Sequence, residues 1–354
     1  MTAADWWRRA TWVDLFLIGL RLAIVAVVVL GTIGTLSLGK YSAAQWFDFV
    51  VFGLTIGSIY ALVALGYTMV YGILRMINFA HGDIFMFGGF TAYFVAAPLG
   101  RSGFIDAHPI SGLALVMLVA MATSTATALA VERICYRPFR HVRSLAPLIC
   151  AIGASFFLQY TARGLYGTRI RSYPDVDPLQ GSIGAAGFDL PRVQLVVMLA
   201  AVLAMVALYL IVMRTRMGTA MRAVAEDRDA ATLMGIDVNR VIVFTFVLGG
   251  SMAGIAGVLY CLVFKQVHFF MGFFIGIKGF AAAVLGGIGN IPGAMLGGLF
   301  LGVVESLGPA LFLDGLGIDA PYQLRDAIAY TMLVMVLIFR PQGLLGERLA
   351  ARRA

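Results

Sequence analysis

Long apolar runs dominate this chain and limit its fold more than any other feature. A run of about 20 predominantly apolar residues is long enough to cross the hydrocarbon core of a bilayer as a helix. Ten candidate segments lie at 13–36, 47–74, 84–98, 110–131, 145–167, 194–213, 241–263, 273–289, 293–308 and 321–340. The sequence therefore predicts an all-α fold, a polytopic transmembrane helical bundle of about ten segments.

The composition excludes an ordinary soluble domain. Hydrophobic residues make up 61% of the chain and charged residues 12%, whereas soluble domains are nearer half apolar and a quarter charged. The three cysteines form no CxxC pair, so neither a disulfide framework nor a zinc site is indicated. Segments 84–98, 273–289 and 293–308 are short for a full crossing, and we expect one or two of them to be re-entrant or broken.

Lysine and arginine are distributed asymmetrically around the predicted segments. If every segment crosses and the N-terminus is cytoplasmic, the inside loops carry 16 of these residues and the outside loops 6. Cytoplasmic loops of membrane proteins carry such an excess. The bias predicts ten crossings with both termini inside, and it accounts for the net charge of +8 without a nucleic-acid partner.

The first 46 residues form an N-terminal extension with its own apolar segment. Arg8 and Arg9 before that segment are compatible with a cleavable signal peptide, but the apolar run is longer than an ordinary signal sequence. We favour a retained signal anchor. Ten crossings would then divide into two five-helix halves of opposite topology, an inverted repeat common among transporters.

A dense polar cluster, 75–83, lies between the second and third apolar segments. Polar groups at membrane depth are costly and are functional candidates by default, and broken helices near the midplane bind solutes in many transporters. In the alternative interpretation, the cluster is a cytoplasmic turn in which Asp83 caps the next helix. The residues alone do not decide between the two.

Small residues recur at helical spacing in several segments, which favours close packing of membrane helices. Tyr60 and Tyr67 form another face of the second segment and could line a solute path or pack against a neighbour. The helix-packing candidates are Gly53, Gly57, Gly250, Gly254, Gly293 and Gly297.

The segment 214–240 is the longest predicted cytoplasmic loop. Helix-forming residues extend through Met234, and Gly235 provides a stop signal. Met221, Val224, Leu233 and Met234 give this helix a modest apolar face. Such a helix could lie on the bilayer surface or dock in a groove of a soluble partner.

Catalytic and metal-binding patterns have no support in the sequence. The four histidines show no metal-ligand spacing, and a partial match to a phosphate-binding loop at 34–41 has Tyr41 in place of the required Ser or Thr. We therefore predict that the chain is not an enzyme and contains no metal site.

The stretch from Ser58 to Asp83 resembles the H-type permease subunit of the branched-chain amino acid ABC importers. Three further stretches agree with that family: 132–140, 216–240 and 281–295. The resemblance extends over 47–346, which we assign as an importer permease domain followed by a basic cytoplasmic tail, 347–354. Residues in and near the resembling stretch are the transport-pathway candidates: Ser58, Tyr60, Tyr67, Asn78, His81 and Asp83.

The resemblance implies a multi-pass protein of the bacterial inner membrane that imports branched-chain or similar amino acids by alternating access. The implied partners are a second homologous permease, two cytoplasmic ATP-binding cassette subunits that use the ATP, and a periplasmic solute-binding protein; this chain binds no cofactor itself. Urea, short amides or other small organic solutes are the alternative substrates. A self-contained secondary transporter is disfavoured, because Asp14, Asp48, Glu305 and Asp326 lie mostly near segment ends.

In such importers the ATPases grip a cytoplasmic permease helix with a Glu-Ala-Ala…Gly pattern. Here the pattern corresponds to Ala225, Glu226 and Asp227 with Gly235, and Arg222 lies on the same segment. Asp227 replaces the second alanine. The resemblance therefore favours partner docking for 216–237.

Overall fold

A computed structural model describes residues 11–140, 145–185, 188–340 and 342–345. The predicted tail and the first ten residues of the N-terminal extension lie outside these ranges. The part that is described is almost wholly helical, which confirms the predicted fold class. The main helices are α1 (Trp12–Leu38), α2 (Ala43–Leu74), α3 (His81–Arg101), α4 (Phe104–Ala107), α5 (Pro109–Val131), α6 (Ala146–Tyr166), α7 (Arg192–Arg214), α8 (Arg216–Glu226), α9 (Arg228–Leu233), α10 (Val238–Phe264), α11 (Met271–Gly286), α12 (Ile291–Gly308) and α13 (Arg325–Phe339).

Nine of the helical segments in the described ranges are long and apolar enough to cross a membrane. Three of them include irregular turns. Helix α5 continues to Phe139 and α12 to Leu316 through π- and 3₁₀-helical residues, and the last segment begins at Pro321 with a 3₁₀ turn before α13. The predicted segment 84–98 is a full helix of 21 residues, and 293–308 also belongs to a full-length segment. We expected one or two of three short segments to be re-entrant or broken, and these two are long enough to cross.

The remaining predicted segment, 273–289, is the short helix α11. Its 16 residues span about 24 Å, less than the ~30 Å hydrocarbon core. Its first turn packs against the first turn of α3, where a Cβ on Gly272 would overlap the carbonyl oxygen of Gly82. Helix α11 therefore begins deep inside the bundle.

Two ends of the bundle can be distinguished by what they carry. At the hairpin end lie two small antiparallel pairs, β1 (Arg171–Ser172) with β4 (Gln266–Val267) and β2 (Ser182–Ala185) with β3 (Phe188–Pro191). The other end carries the short helices α8 and α9, which pack beneath the last turn of α2, and is called the α8–α9 end below. The hairpin-end start of α2 contacts β3 through the rings of Phe47 and Phe188, 4.7 Å apart.

Helix α2 is the centre of the fold and is buried along most of its length. Gly53 and Gly57 face α12, where added Cβ atoms would lie 2.8 Å from the Cα atoms of Val303 and Leu299. Close backbone contact of this kind replaces the hydrophobic drive that lipid removes.

The other small residues singled out in the sequence also lie at helix contacts. Gly250 and Gly254 of α10 face α5, where added Cβ atoms would come within 2.8 Å of Thr125 Cα and 2.6 Å of the Ala120 carbonyl oxygen. Gly293 and Gly297 of α12 sit against the carbonyl oxygens of Gly286 and Ala282 in α11. All these positions leave no space for a side chain.

Helix α1 joins the bundle at the hairpin end. Gly31 and Gly34 lie against the backbone of Phe312 and Gly315, and Thr35 donates a hydrogen bond of 3.0 Å to the carbonyl oxygen of Ala310. A groove lies between the middle of α1, from Ala23 to Val28, and α13.

The predicted single helix from 214 to Met234 is two helices. The chain extends at Asp227 (φ −149°, ψ 114°), whose carboxylate accepts hydrogen bonds from Asp229 N and Ala230 N at 2.9 and 3.0 Å. An aspartate in this position caps a new helix start, and this function overrides the helix-forming residues on either side. Gly235 has a left-handed backbone (φ 83°), which agrees with the predicted glycine stop.

Candidate functional site

The polar turn 75–80 folds back into the bundle between α2 and α3. His81, the first residue of α3, packs so closely on Gly66 that a Cβ there would overlap its imidazole. Gly66 lies two turns before the end of α2, about 12 Å along the helix axis. Helix α3 therefore starts well short of the level at which α2 ends, and the polar residues at its start lie within the bundle.

The turn is fixed by buried hydrogen bonds. Tyr136 donates its hydroxyl to the carbonyl oxygen of Ile77 at 3.1 Å and reaches Asn78 Oδ1 at 3.3 Å. Arg75 ends α2 in a left-handed conformation (φ 56°), which reverses the chain direction. The N-cap of α3 is Ala80, with no side-chain cap, so the alternative in which Asp83 caps this helix was wrong.

Asp83 is buried and faces α6 instead. Ser155 donates a hydrogen bond of 2.5 Å to Asp83 Oδ2, and Gln159 donates one of 3.2 Å to Ser155 Oγ. The second carboxylate oxygen, Oδ1, is buried and has no hydrogen-bond partner in the described chain. An unsatisfied carboxylate oxygen away from water is costly, and it marks a position where a donor can be accommodated.

Asp83 lines a cavity of about 220 Å³ between α2, α3, α6 and α11. Ser155 and two small residues of α11, Gly272 and Gly276, also line it. The other lining residues are apolar or aromatic: Tyr67, Phe79, Ile152, Phe156, Phe273, Ile277 and Phe280. The cavity thus combines one carboxylate with an apolar wall, the usual chemistry of a small-molecule site.

Tyr67 connects this cavity to His81. The Tyr67 and His81 rings meet edge to face with centroids 4.9 Å apart, and Tyr67 also contacts Phe280 at 5.8 Å. Thr68 Oγ1, Asn78 Nδ2 and His81 Nε2 are, like Asp83 Oδ1, buried without a hydrogen-bond partner in the described residues. Such atoms are rare in folded proteins, and four of them concentrated here set this region apart.

The six transport-pathway candidates do not all meet at this cavity. Tyr67 and Asp83 line it, while Asn78 and His81 lie directly beside it in the turn and at the start of α3. Ser58 is buried on α2 and donates its hydroxyl to the Leu54 carbonyl oxygen at 2.7 Å. Tyr60 packs beneath the Lys278 ammonium, 5.7 Å from its ring centroid.

Sequence reasoning missed a buried ionic cluster made of Lys278, Glu305 and Asp326. The Lys278 ammonium lies 2.6 Å from Glu305 Oε1 and 2.7 Å from Asp326 Oδ1, and so joins α11, α12 and α13. Glu305 was grouped with acids near segment ends, but its side chain is only 3% exposed. The available signal was Lys278 itself, because a lysine inside an apolar segment requires a partner.

Sequence reasoning also missed Ser155 and Gln159, the polar residues of α6 at the cavity. Their helix is only weakly amphipathic, and no motif marks them. Only the packing of α6 against α3 shows which of its residues face Asp83.

The α8–α9 surface contacts the same turn from outside. Arg75 donates to the Ala225 carbonyl oxygen at 3.2 Å, and Arg228 donates to the Ile73 carbonyl oxygen at the end of α2. Burial and the nearby guanidinium groups of Arg140 and Arg75 lower the pKa of Arg228. Met221 and Val224 pack inward, whereas Leu233 and Met234 are 88% and 83% exposed.

The remaining coupling candidates lie along the same two helices. Ala225 and Glu226 end α8, Asp227 caps α9, and Gly235 follows α9. Arg222, on α8, lines a small cavity with Ala225 and with Gly289 from the loop between α11 and α12.

A bundle of membrane-crossing helices, with one buried carboxylate in a mostly apolar cavity, defines a multi-pass membrane protein. The family can be stated more closely. The model of the branched-chain amino acid transport system permease component matches residues 49–337, so the chain belongs to that family. This finding confirms the resemblance noted in the sequence.

Curated relatives agree with the family model. The high-affinity branched-chain amino acid transport system permease protein BraD of Pseudomonas aeruginosa is 42% identical over 84% of this chain and 95% of its own length. The corresponding LivH protein of Escherichia coli is 40% identical over 83% of this chain and 94% of its own length. A probable LivH of Methanocaldococcus jannaschii is 26% identical over 80% and 88%. All three are described as permease proteins, so the chain is a permease subunit.

Proposed function

We propose that this permease serves an ATP-driven importer of branched-chain or similar amino acids, and that the cavity at Asp83 is part of the solute path. The observation that carries the proposal is the unpartnered Oδ1 of Asp83 in a cavity with an otherwise apolar wall. A substrate ammonium would satisfy that oxygen with a charge-assisted hydrogen bond. A branched aliphatic side chain would fill the space between Tyr67, Phe156 and Phe280.

The substrate carboxylate requires a different partner in the same cavity. Helix α11 begins there with Gly272 and Phe273 in its first turn, and its N-cap, Phe270, provides no side-chain cap. The N-terminus of a helix carries partial positive charge, and discontinuous helices of transporters direct such ends at substrate carboxylates. A zwitterionic amino acid therefore fits this site better than urea or a short amide.

Transport by the complete importer tests this assignment. The full complex, with its solute-binding protein, is reconstituted in liposomes and supplied with ATP and labelled leucine. Asp83→Asn removes the carboxylate charge, and we expect uptake to fall at least tenfold. Ser155→Ala keeps the carboxylate and should reduce uptake less. Normal leucine uptake by an assembled Asp83→Asn complex would exclude the site.

The proposed motor is a pair of separate ATPase subunits that dock on the α8–α9 end. Leu233 and Met234 expose two large apolar side chains at this surface, beside the Glu226–Asp227 junction and Gly235. Exposed apolar side chains within a polar rim are typical of a partner interface. ATP is bound by those subunits, and this chain binds no cofactor.

A mechanical route links that surface to the cavity. Arg75 and Arg228 connect α8 and α9 to the end of α2, and the turn 75–80 then leads to Asp83. Closure of the ATPases on ATP would displace α8 and α9 and, through these two arginines, the turn beside the cavity. Alternating access follows if this displacement opens the cavity to one side of the membrane at a time.

Co-purification tests the docking surface. Leu233→Asp combined with Met234→Asp is expected to reduce ATPase recovery severalfold, because two charges replace the apolar contact. Gly235→Val should also weaken docking, since a β-branched residue disfavours the left-handed backbone. Ile183→Asp, at an exposed apolar residue of the hairpin end, is the matched control. Full ATPase recovery with the double variant would contradict the proposal.

The proposed assembly contains a second homologous permease and a periplasmic solute-binding protein beside the two ATPases. The α8–α9 end would face the cytoplasm of a bacterial inner membrane, with both chain termini on that side. The 16-to-6 distribution of Lys and Arg supports this orientation. The hairpin end would then face the solute-binding protein.

A further inference from the structure

Helix α1 precedes the matched family region, 49–337, and the proposed function assigns it no role. It contacts the bundle at the hairpin end through Gly31, Gly34 and Thr35. Between α1 and α13 lies an apolar groove of about 450 Å³. Ile24 and Val28 of α1 form one wall, and Ile328, Met332 and Met335 of α13 form the other.

The dimensions of the groove suit a hydrocarbon chain. Along α13 it extends from Leu324 to Met335, which is about 16 Å at helical rise. One leaflet of the hydrocarbon core is about half of ~30 Å thick. The groove is therefore about as long as one leaflet is thick, and its wall is almost entirely apolar.

A cation lies at one end of this groove. Arg21 is two residues from Ala23, a residue of the wall, and its guanidinium lies over the ring of Phe339 at 5.7 Å. It has no carboxylate within ion-pair distance among the described residues. Phe339 ends α13, and the exposed Arg340 follows it. Two arginines thus lie where α13 ends, at the α8–α9 end of the bundle.

We propose that the α1–α13 groove binds an anionic phospholipid, with an acyl chain between the helices and the phosphate at Arg21 and Arg340. A guanidinium at membrane depth requires an anionic partner or water, and basic pockets between transmembrane helices bind acidic lipid headgroups. The phosphate supplies the charge that Arg21 lacks, and the acyl chain fills the apolar space. The site does not depend on the proposed substrate.

Lipid retention measured by native mass spectrometry tests the proposal. The assembled complex is equilibrated in mixed micelles with equal amounts of dioleoyl phosphatidylglycerol and dioleoyl phosphatidylcholine. We expect a bound phosphatidylglycerol in at least threefold excess over phosphatidylcholine. Arg21→Gln should bring this ratio close to one. Arg163→Gln is the matched control, because Arg163 also lies over an aromatic ring, that of Phe269 at 5.9 Å.

A second pair of variants tests the acyl chain. Ala23→Phe places a ring in the groove and should reduce retention of both lipids, whereas Ala26→Phe, on an exposed face of α1 away from the groove, should leave retention unchanged. An unchanged lipid ratio in Arg21→Gln would overturn the headgroup site. If Ala23→Phe instead released the second permease and left lipid retention intact, the groove would hold a protein helix and the proposal would fail.

Discussion

At the scale of single residues, Gly82 shows how closely the candidate site is built. It is the second residue of α3 and touches the backbone of α11, where an added Cβ would lie 2.7 Å from the Cα of Gly276. The contact is between backbones, which cannot rotate away as a side chain can. Any enlargement here must separate α3 from α11.

We therefore expect Gly82→Ala to lower the thermal unfolding temperature of the purified permease by several degrees. Overpacking a tight contact costs about 1–3 kcal/mol. The measurement is thermal unfolding in detergent, and Gly153→Ala is the control, because no atom lies within 4 Å of a Cβ at that position. Equal unfolding temperatures for the two variants would show that α3 and α11 can separate freely.

Lys278 is a second residue whose environment makes a sharp prediction. Its ammonium balances Glu305 and Asp326, and the Glu305 side chain is almost fully buried. Removing one member of a buried ion pair leaves an uncompensated charge and costs about 3–5 kcal/mol. Lys278→Met should therefore destabilise the protein strongly, as measured by unfolding in mixed detergent micelles.

The double variant Lys278→Met, Glu305→Leu separates charge from packing. It removes both buried charges, and Asp326 remains partly exposed at the end of the cluster. We expect much of the lost stability to return. Two losses that simply add would indicate that Lys278 and Glu305 stabilise the fold independently of each other.

At the scale of elements, the break between α8 and α9 depends on Asp227. Its carboxylate accepts hydrogen bonds from the N–H groups of Asp229 and Ala230, whereas the carboxylate of Asp229 takes no part in this cap. Loss of an N-cap costs about 1 kcal/mol. Asp227→Ala should raise hydrogen exchange at 229–233, and Asp229→Ala should change it much less. Equal hydrogen exchange in both variants would show that the Asp227 cap does not stabilise α9.

The same elements show how far sequence reasoning reached. Apolar length and turn signals located the α-helical part of each spanning segment to within a few residues, because both signals are local, but not the irregular turns that extend two segments to Phe139 and Leu316. The break at Asp227 was missed, since helix-forming residues flank it and only the orientation of its side chain shows the cap. Only part of the cavity could be predicted from the sequence. Tyr67 and Asp83 lie in one recognisable stretch, but Ser155 and Gln159 belong to α6 and come close to Asp83 only through helix packing.

The ionic cluster marks the same boundary between local and tertiary information. Lys278, Glu305 and Asp326 come from three different helices. Their charges were visible in the sequence as isolated anomalies. Their pairing depends on the angle at which the short helix α11 meets α12 and α13, and no local pattern encodes that angle.

At the scale of the whole molecule, the proposed orientation predicts which residues are accessible from each side. In a background with Cys135, Cys150 and Cys261 replaced by Ala, Gly181→Cys should react with a membrane-impermeant maleimide in intact spheroplasts. Leu233→Cys should react only after permeabilisation. Both positions are exposed in the structure, so in a strain that lacks the ATPase subunits protection reflects the membrane alone. The reverse pattern would invert the topology and place the α8–α9 surface away from any cytoplasmic ATPase.

The glycine contact between α2 and α12 has a consequence for motion. Gly53 and Gly57 sit against α12, and Gly298 and Gly302 sit against Ala61 and Gly57 of α2, so backbone meets backbone over more than two turns. Because their backbones are in contact, α2 and α12 cannot rotate or slide against each other without steric overlap. We therefore expect α2 and α12 to move as one rigid body during the transport cycle. The parts that move relative to them are then α11, the turn 75–80 and α3, which contains Asp83.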